Sequence, residues 1–349
     1  MKQVMLKKLR RSLLRHMPRL WEMGTHQLAR WEFQRQSPWL EQLRKGLSIA
    51  YPALSSEELE ALLRKCVRVL SQRDIDTSRM EEMNREELRA YCLNNVEVIG
   101  GERFQELCRQ PGPLLTFSPH WGSFAILGLR QALDVQDTKP AFLFYNPPER
   151  NPFSQKMNSL LRTLGTPTQP LLNDKAGTIK AFRNLKAGAM VAIMPDHFES
   201  GPNTTFVQWM GRLALAMPGT AYLALRTGAR VVPSYCQRIG RDRYQMVYEP
   251  PLEMPRTGDA QRDVHELTQR IFANMERWIR SAPEQWGYWG TLPYRVAPGI
   301  VLPDSPEDWW KQFERMRRPV TGDPLQNVLS QLAARLAHPM APVPVQGVS

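Results

Sequence analysis

The chain has 349 residues, 42% of them hydrophobic, which suits one large packed domain with appendages and argues against a mainly disordered protein. Its four cysteines, Cys66, Cys92, Cys108 and Cys236, form no CxxC pair, which argues against a zinc site or a disulfide framework and for a reducing compartment. A net charge of +12 points to acidic partners, but no nucleic-acid signature accompanies it, which leaves an anionic lipid surface or an acidic carrier protein.

Residues 1–20, "MKQVMLKKLRRSLLRHMPRL", hold seven Lys or Arg and no acid. They lack the apolar length of a membrane span and the cleavage pattern of a signal peptide. Val4, Leu9, Leu13, Met17 and Trp21 fall roughly on one helical stripe with the basic residues mostly opposite, the pattern of a helix lying on an anionic membrane. A helix docked on the protein's own core reads equally well. Residues 1–40 are therefore expected as a basic amphipathic segment.

Up to residue 110 the chain reads as helical. "SSEELEALLRKCVRVLSQ" offers Ser55 and Ser56 as N-caps, with Leu59, Leu62, Leu63, Cys66 and Leu70 at helical spacing. From residue 114 short apolar runs alternate with helical ones. "LLTFSP", "AFLFYN", "AMVAIMP", "RVVPSYC" and "YQMVYEPP" read as strands, with "FSQKMNSLLRTLG", "AGTIKAFRNLKAG" and "MPGTAYLALRTGA" as helices between them and a further helix over 262–280. Alternation of this kind predicts an α/β fold, a mostly parallel central sheet sandwiched by helices, over residues 41–300. Residues 301–349 are Pro-rich and expected to be partly disordered.

Parallel sheets place chemistry at the carboxyl ends of their strands. Two loops qualify. His120 follows "LLTFSP" in a strand-to-helix turn, where an imidazole can take a proton from an attacking hydroxyl or amine. Amides around Gly122 and Ser123 at the following helix start are candidate oxyanion donors. The loop "PDHFESGP" (195–202) groups Asp196, His197 and Glu199, too few ligands to define a metal site. Neither a Gly-rich phosphate loop nor a GxSxG elbow is present.

Six blocks in order resemble the late acyltransferases of lipid A biosynthesis, within the wider lysophospholipid acyltransferase superfamily. They are "LRKGLSIAYPALSSEE", "VEVIGGERFQEL" with "LLTFSPHWGSFAI", "FYNPPERNPFSQKMNSLLRTLG", "AIMPDHFESGP", "ALRTGARVVPSYCQR" and "APEQWGYW", spanning about residues 40–295. The resemblance implies transfer of a fatty acyl chain from acyl carrier protein or coenzyme A to a hydroxyl or amine acceptor, with no cofactor beyond that co-substrate. It implies His120 as the base, and Tyr145, Asn151 and Arg162 as substrate-binding residues, with Arg162 on a phosphate or other anion. It also implies a peripheral place on the cytoplasmic face of the bacterial inner membrane, or in the cytoplasm; the oligomeric state stays open.

The sequence departs from that pattern where it matters. The family's HxxxxE/D acid stands five residues after the histidine, and here that position is Ala125. The "WxHRR" block becomes "WGYWGTLPYR", and the usual membrane anchor is reduced to the basic segment. Two expectations follow. Asp196 or Glu199 replaces the missing acid, or the chain is a catalytically impaired relative that binds acyl chains or a partner. On the first, Ala125→Glu should raise activity. Phe124, Leu127, Phe142 and Met217 would line an acyl tunnel, though core packing explains them as well.

Overall fold

The computed structural model describes residues 24, 27, 30–31, 33–149, 151–197 and 205–296. The basic segment 1–20 and the tail 301–349 lie outside them. Helix α1, Pro38–Ala50, starts on Ser37, and α2, Ser56–Glu81, starts on a reciprocal capping box between Ser55 and Glu58. Helix α3, Arg85–Asn94, uses a second box, Asn84 with Glu87. Among the described residues no helix is long and apolar enough to cross a membrane.

The chain then builds its sheet: β1, Val96–Ile99; α4, Gly101–Arg109; β2, Leu114–Phe117; α5, Phe124–Val135; β3, Ala141–Tyr145; α6, Pro152–Leu164; β4, Gln169–Leu172; α7, Lys175–Lys186; β5, Met190–Ile193. A hairpin of β6, Thr205–Trp209, and β7, Arg212–Ala216, interrupts the alternation before α8, Gly219–Thr227; β8, Arg230–Gly240; β9, Arg243–Tyr248; and α9, Ala260–Ser281. The seven-stranded order is β1-β9-β8-β2-β5-β3-β4, parallel throughout except for the β8–β9 hairpin. This is the expected α/β fold with a mostly parallel sheet.

Four strands escape the sequence pattern. Val96–Ile99 falls where a helical region is expected, because four residues with one buried side chain carry too little alternation. β4 is a short edge strand with a single buried residue, Leu171, and the β6–β7 hairpin stands apart from the main sheet.

Side chains leave successive strand residues on opposite faces. Leu115, Phe117, Val191 and Val231 point into one apolar cluster with α1, much of α2 and α9; Leu114, Met190 and Val232 point into the other with α3, α5 and α6. The sheet is thus covered on both faces, as parallel sheets require. Its two central strands, β2 and β5, pair with Phe117 opposite Ile193. His120 and Asp196 each stand three residues past that pair, so equal register delivers both to one end of the sheet.

Candidate active site

The turn that carries His120 is tied down by its backbone. Gly122 donates its N–H to the Gln285 carbonyl at 3.0 Å, and Gly287 donates to the His120 carbonyl at 3.1 Å. Between them Trp121 and Trp286 form an antiparallel bridge, and the Trp121 indole donates to the Ala282 carbonyl at 2.8 Å. Position 122 has to be glycine: its φ is +63°, and a Cβ there would lie 2.2 Å from the Cys236 carbonyl oxygen.

The imidazole meets Asp196. Nδ1 of His120 lies 2.7 Å from Oδ1, and the His120 backbone N–H donates to Oδ2 at 2.7 Å. The Trp286 indole donates to the same Oδ2 at 2.9 Å, and Arg295 donates from Nη1 to the Asp196 carbonyl at 2.9 Å. Asp196 is fully buried. Burial pushes its carboxyl up, but the His120 ring beside it and the three donated hydrogen bonds outweigh that, and the net shift is below the usual carboxylate range. Arg295, wholly buried beneath, is drawn down to about 10 by loss of solvent. With Asp196 ionised, Nδ1 carries the hydrogen, and in the neutral ring Nε2 is then the atom with the lone pair. Nε2 has no hydrogen-bond partner among the described residues, while Tyr288 and Phe124 hold the ring with centroids at 4.3 and 5.3 Å.

His120 opens on a cavity of about 270 Å³ walled by α5, α6, α8 and residues of the sheet. Its wall is mainly apolar, with Phe124, Leu127, Leu143, Met157 and Met217 among its side chains. Gly128 keeps it open, since a Cβ there would come within 3.0 Å of Leu143. Three of the four expected tunnel residues line it; Phe142 does not, being packed in the cluster on the opposite face. Its deep end is polar: Gln131 bridges Thr116 and Ser234, all buried.

The other sequence-derived candidates divide. Tyr145 and Asn151 line the cavity, Tyr145 donating to Asn158 and Asn151 capping α6 through the Phe153 N–H. Burial raises the Tyr145 phenol to about 12, with Arg162 offsetting part of the push. Arg162 itself is exposed in the last turn of α6 and is not among the lining residues. The amides of Gly122 and Ser123 need correcting as oxyanion donors, because each is already committed, Gly122 as above and Ser123 to the Cys236 carbonyl at 2.6 Å. Glu199 lies outside the described residues, and His197 lines the cavity. Ala125, where the family pattern has its acid, is buried in the apolar cluster on the α5 side.

Sequence reasoning missed Trp286 and Arg295. Both sit in blocks it quoted, "APEQWGYW" and "WGTLPYR", but their partner is 90 or more residues away, with no local pattern to betray it. No curated protein matches the chain. The profile of a known family, bacterial lipid A biosynthesis acyltransferase, matches residues 10–289. That span runs from before α1 through the α/β sheet, the His120 turn and the Asp196 loop to Trp286, and the chain belongs to the bacterial lipid A biosynthesis acyltransferase family.

Proposed function

We propose that this family member is a working acyltransferase in which His120 is the general base and Asp196 the carboxylate that orients it. The observation that carries the reading is the 2.7 Å contact of Asp196 with His120 Nδ1 at the mouth of an apolar cavity. The acyl chain of an acyl carrier protein or coenzyme A thioester lies in the cavity, with its carbonyl beside Nε2. The acceptor hydroxyl or amine attacks that carbonyl carbon while Nε2 takes its proton. As the tetrahedral intermediate collapses the C–S bond breaks, and the imidazolium returns the proton to the leaving thiolate. Asp196 holds the tautomer and stabilises the imidazolium, as the carboxylate of a catalytic triad does. A carboxylate at Nδ1 supports this over the impaired alternative, whose motive was the alanine at 125. The charge of +12 suits an acidic carrier and an anionic membrane surface, in keeping with a peripheral place on the inner membrane.

The test is acyl transfer followed by mass spectrometry, with carrier-linked chains of several lengths and hydroxyl and amine acceptors. Wild type should turn over at least one pair. Asp196→Asn should lose about 10⁴ in kcat, and His120→Ala a comparable amount. Undiminished turnover in either variant would remove that residue from the mechanism.

A further inference from the structure

Several half-buried cations of this fold have acidic partners at close range. Arg79 lies 2.6 Å from Asp242, Arg238 3.0 Å from Asp76, and Arg130 2.8 Å from Asp134. Arg73 on α2 differs. Its side chain is 19% exposed, and its nearest carboxylate is Asp74 at 3.5 Å from Nε, itself 68% exposed and so largely screened by solvent. Nε and Nη1 are buried without a hydrogen-bond partner among the described residues. A buried guanidinium left in this state is costly unless something else pairs with it.

Its position suggests what. The Arg73 guanidinium lies 4.9 Å over the ring of Phe124, which lines the cavity and contacts His120. A Cβ placed on Gly287 would be 3.1 Å from Nη1 and 3.7 Å from the His120 carbonyl oxygen, so the cation is one residue away from the histidine backbone. Phe124 and Gly287 both lie against the guanidinium, and Nη2 is its one nitrogen not among the buried, unpartnered atoms. A bulkier residue at 287 would crowd the guanidinium out of this place.

We propose that Arg73 is an anion-binding residue at the mouth of the His120 site, taking a phosphate carried by one of the two substrates. The phosphate has two sources: the phosphodiester of the donor's pantetheine arm, or a phosphate on the acceptor. This rests on the acyl-transfer reading for the identity of the ligands, though not for the binding itself. It places an anion role, beside the exposed Arg162, on a cation that is not itself a lining residue but packs on Phe124 of the cavity wall.

Equilibrium binding separates the sources without needing turnover. Titrate the full chain calorimetrically with phosphopantetheine against pantetheine, and with glucosamine 1-phosphate against glucosamine. Wild type should prefer the phosphorylated member of one pair by about tenfold or more, the scale of a hydrogen bond to a charged group. Arg73→Met, which keeps the apolar stem against Phe124, should abolish that preference, and Arg73→Lys should retain part of it. Loss in the first pair assigns the donor phosphate, and loss in the second assigns the acceptor. No preference in wild type for either pair, or a preference that survives in Arg73→Met, overturns the proposal. If Arg73→Met does not fold, Arg73→Lys decides: a preference undiminished with a displaced point charge counts against a fixed planar cation. Absence of acyl transfer with every donor would instead strike the functional reading, and leaves the binding result standing.

Discussion

Ala125 stands where the family pattern has its acid while Asp196, in a loop that the pattern shares, meets the histidine, and restoring an acid at 125 has a physical cost. Ala125 is 3% exposed in the apolar cluster that includes Ile126, Leu129 and Met157, while the imidazole Nδ1 is already taken by Asp196. That burial argues against the expectation that Ala125→Glu raises activity. A glutamate there would bury an unpaired carboxylate, destabilise the fold by about 3 kcal/mol or more and leave turnover no higher than wild type. Urea midpoints and initial rates check both halves; a more active variant would mean that α5 can turn its first residues toward His120.

Among the elements, α9 holds a second histidine in the opposite condition. His265 is 5% exposed, its Nδ1 lies 3.3 Å from the Thr205 hydroxyl at the start of β6, and burial pulls it down to about 4 from an ordinary 6.5. Between those values the unfolded chain binds a proton that the native state refuses. The stabilisation is therefore complete above about pH 6.5 and drains away as pH falls toward 4, by about 3 kcal/mol in all. His265→Gln should flatten that slope, read as the difference between urea midpoints at pH 7 and pH 5. A wild-type midpoint equal at both values would show that the imidazole is solvated after all. The same element level explains what could be foreseen. β2, β5 and β8 are largely buried apolar runs and stand out in sequence, whereas Val96–Ile99 is made by a partner supplied from far along the chain, and the β6–β7 hairpin, though local, pairs only with itself outside the main sheet. His120 was visible because a histidine directly after a buried strand is local information. The acid was half visible: "PDH" marks a loop after a strand, but only the Phe117–Ile193 register puts Asp196 rather than its neighbours on the ring.

At the scale of the whole molecule the site is joined from three distant parts of the chain: the β2 turn, the β5 loop and the segment after α9. The last of these acts through Trp286, whose indole reaches Asp196 at 2.9 Å and whose ring packs edge-on against Trp289 and Trp209. Trp286→Phe keeps most of that packing and removes the N–H. It should lower kcat by about tenfold to a hundredfold, the worth of one hydrogen bond to a charged group. Combined with Asp196→Asn the loss should be less than the product of the two, because both variants act through one carboxylate. Full additivity in that double-mutant cycle would separate Trp286 from the carboxylate. These long-range joins had no counterpart in local pattern, which is why both Trp286 and Arg295 went unassigned while the fold class was plain.

The antiparallel bridge between Trp121 and Trp286 also sets an order in time. A chain made from its N-terminus has synthesised every strand of its sheet by Tyr248, and His120 long before that. The residues that grip the histidine turn and complete the hold on Asp196 emerge only afterwards, with α9 in between. A nascent chain on the ribosome can thus own a finished sheet and an unsecured imidazole. Competence for chemistry arrives only once the chain has been made past Arg295, as a property of that later segment rather than of the scaffold.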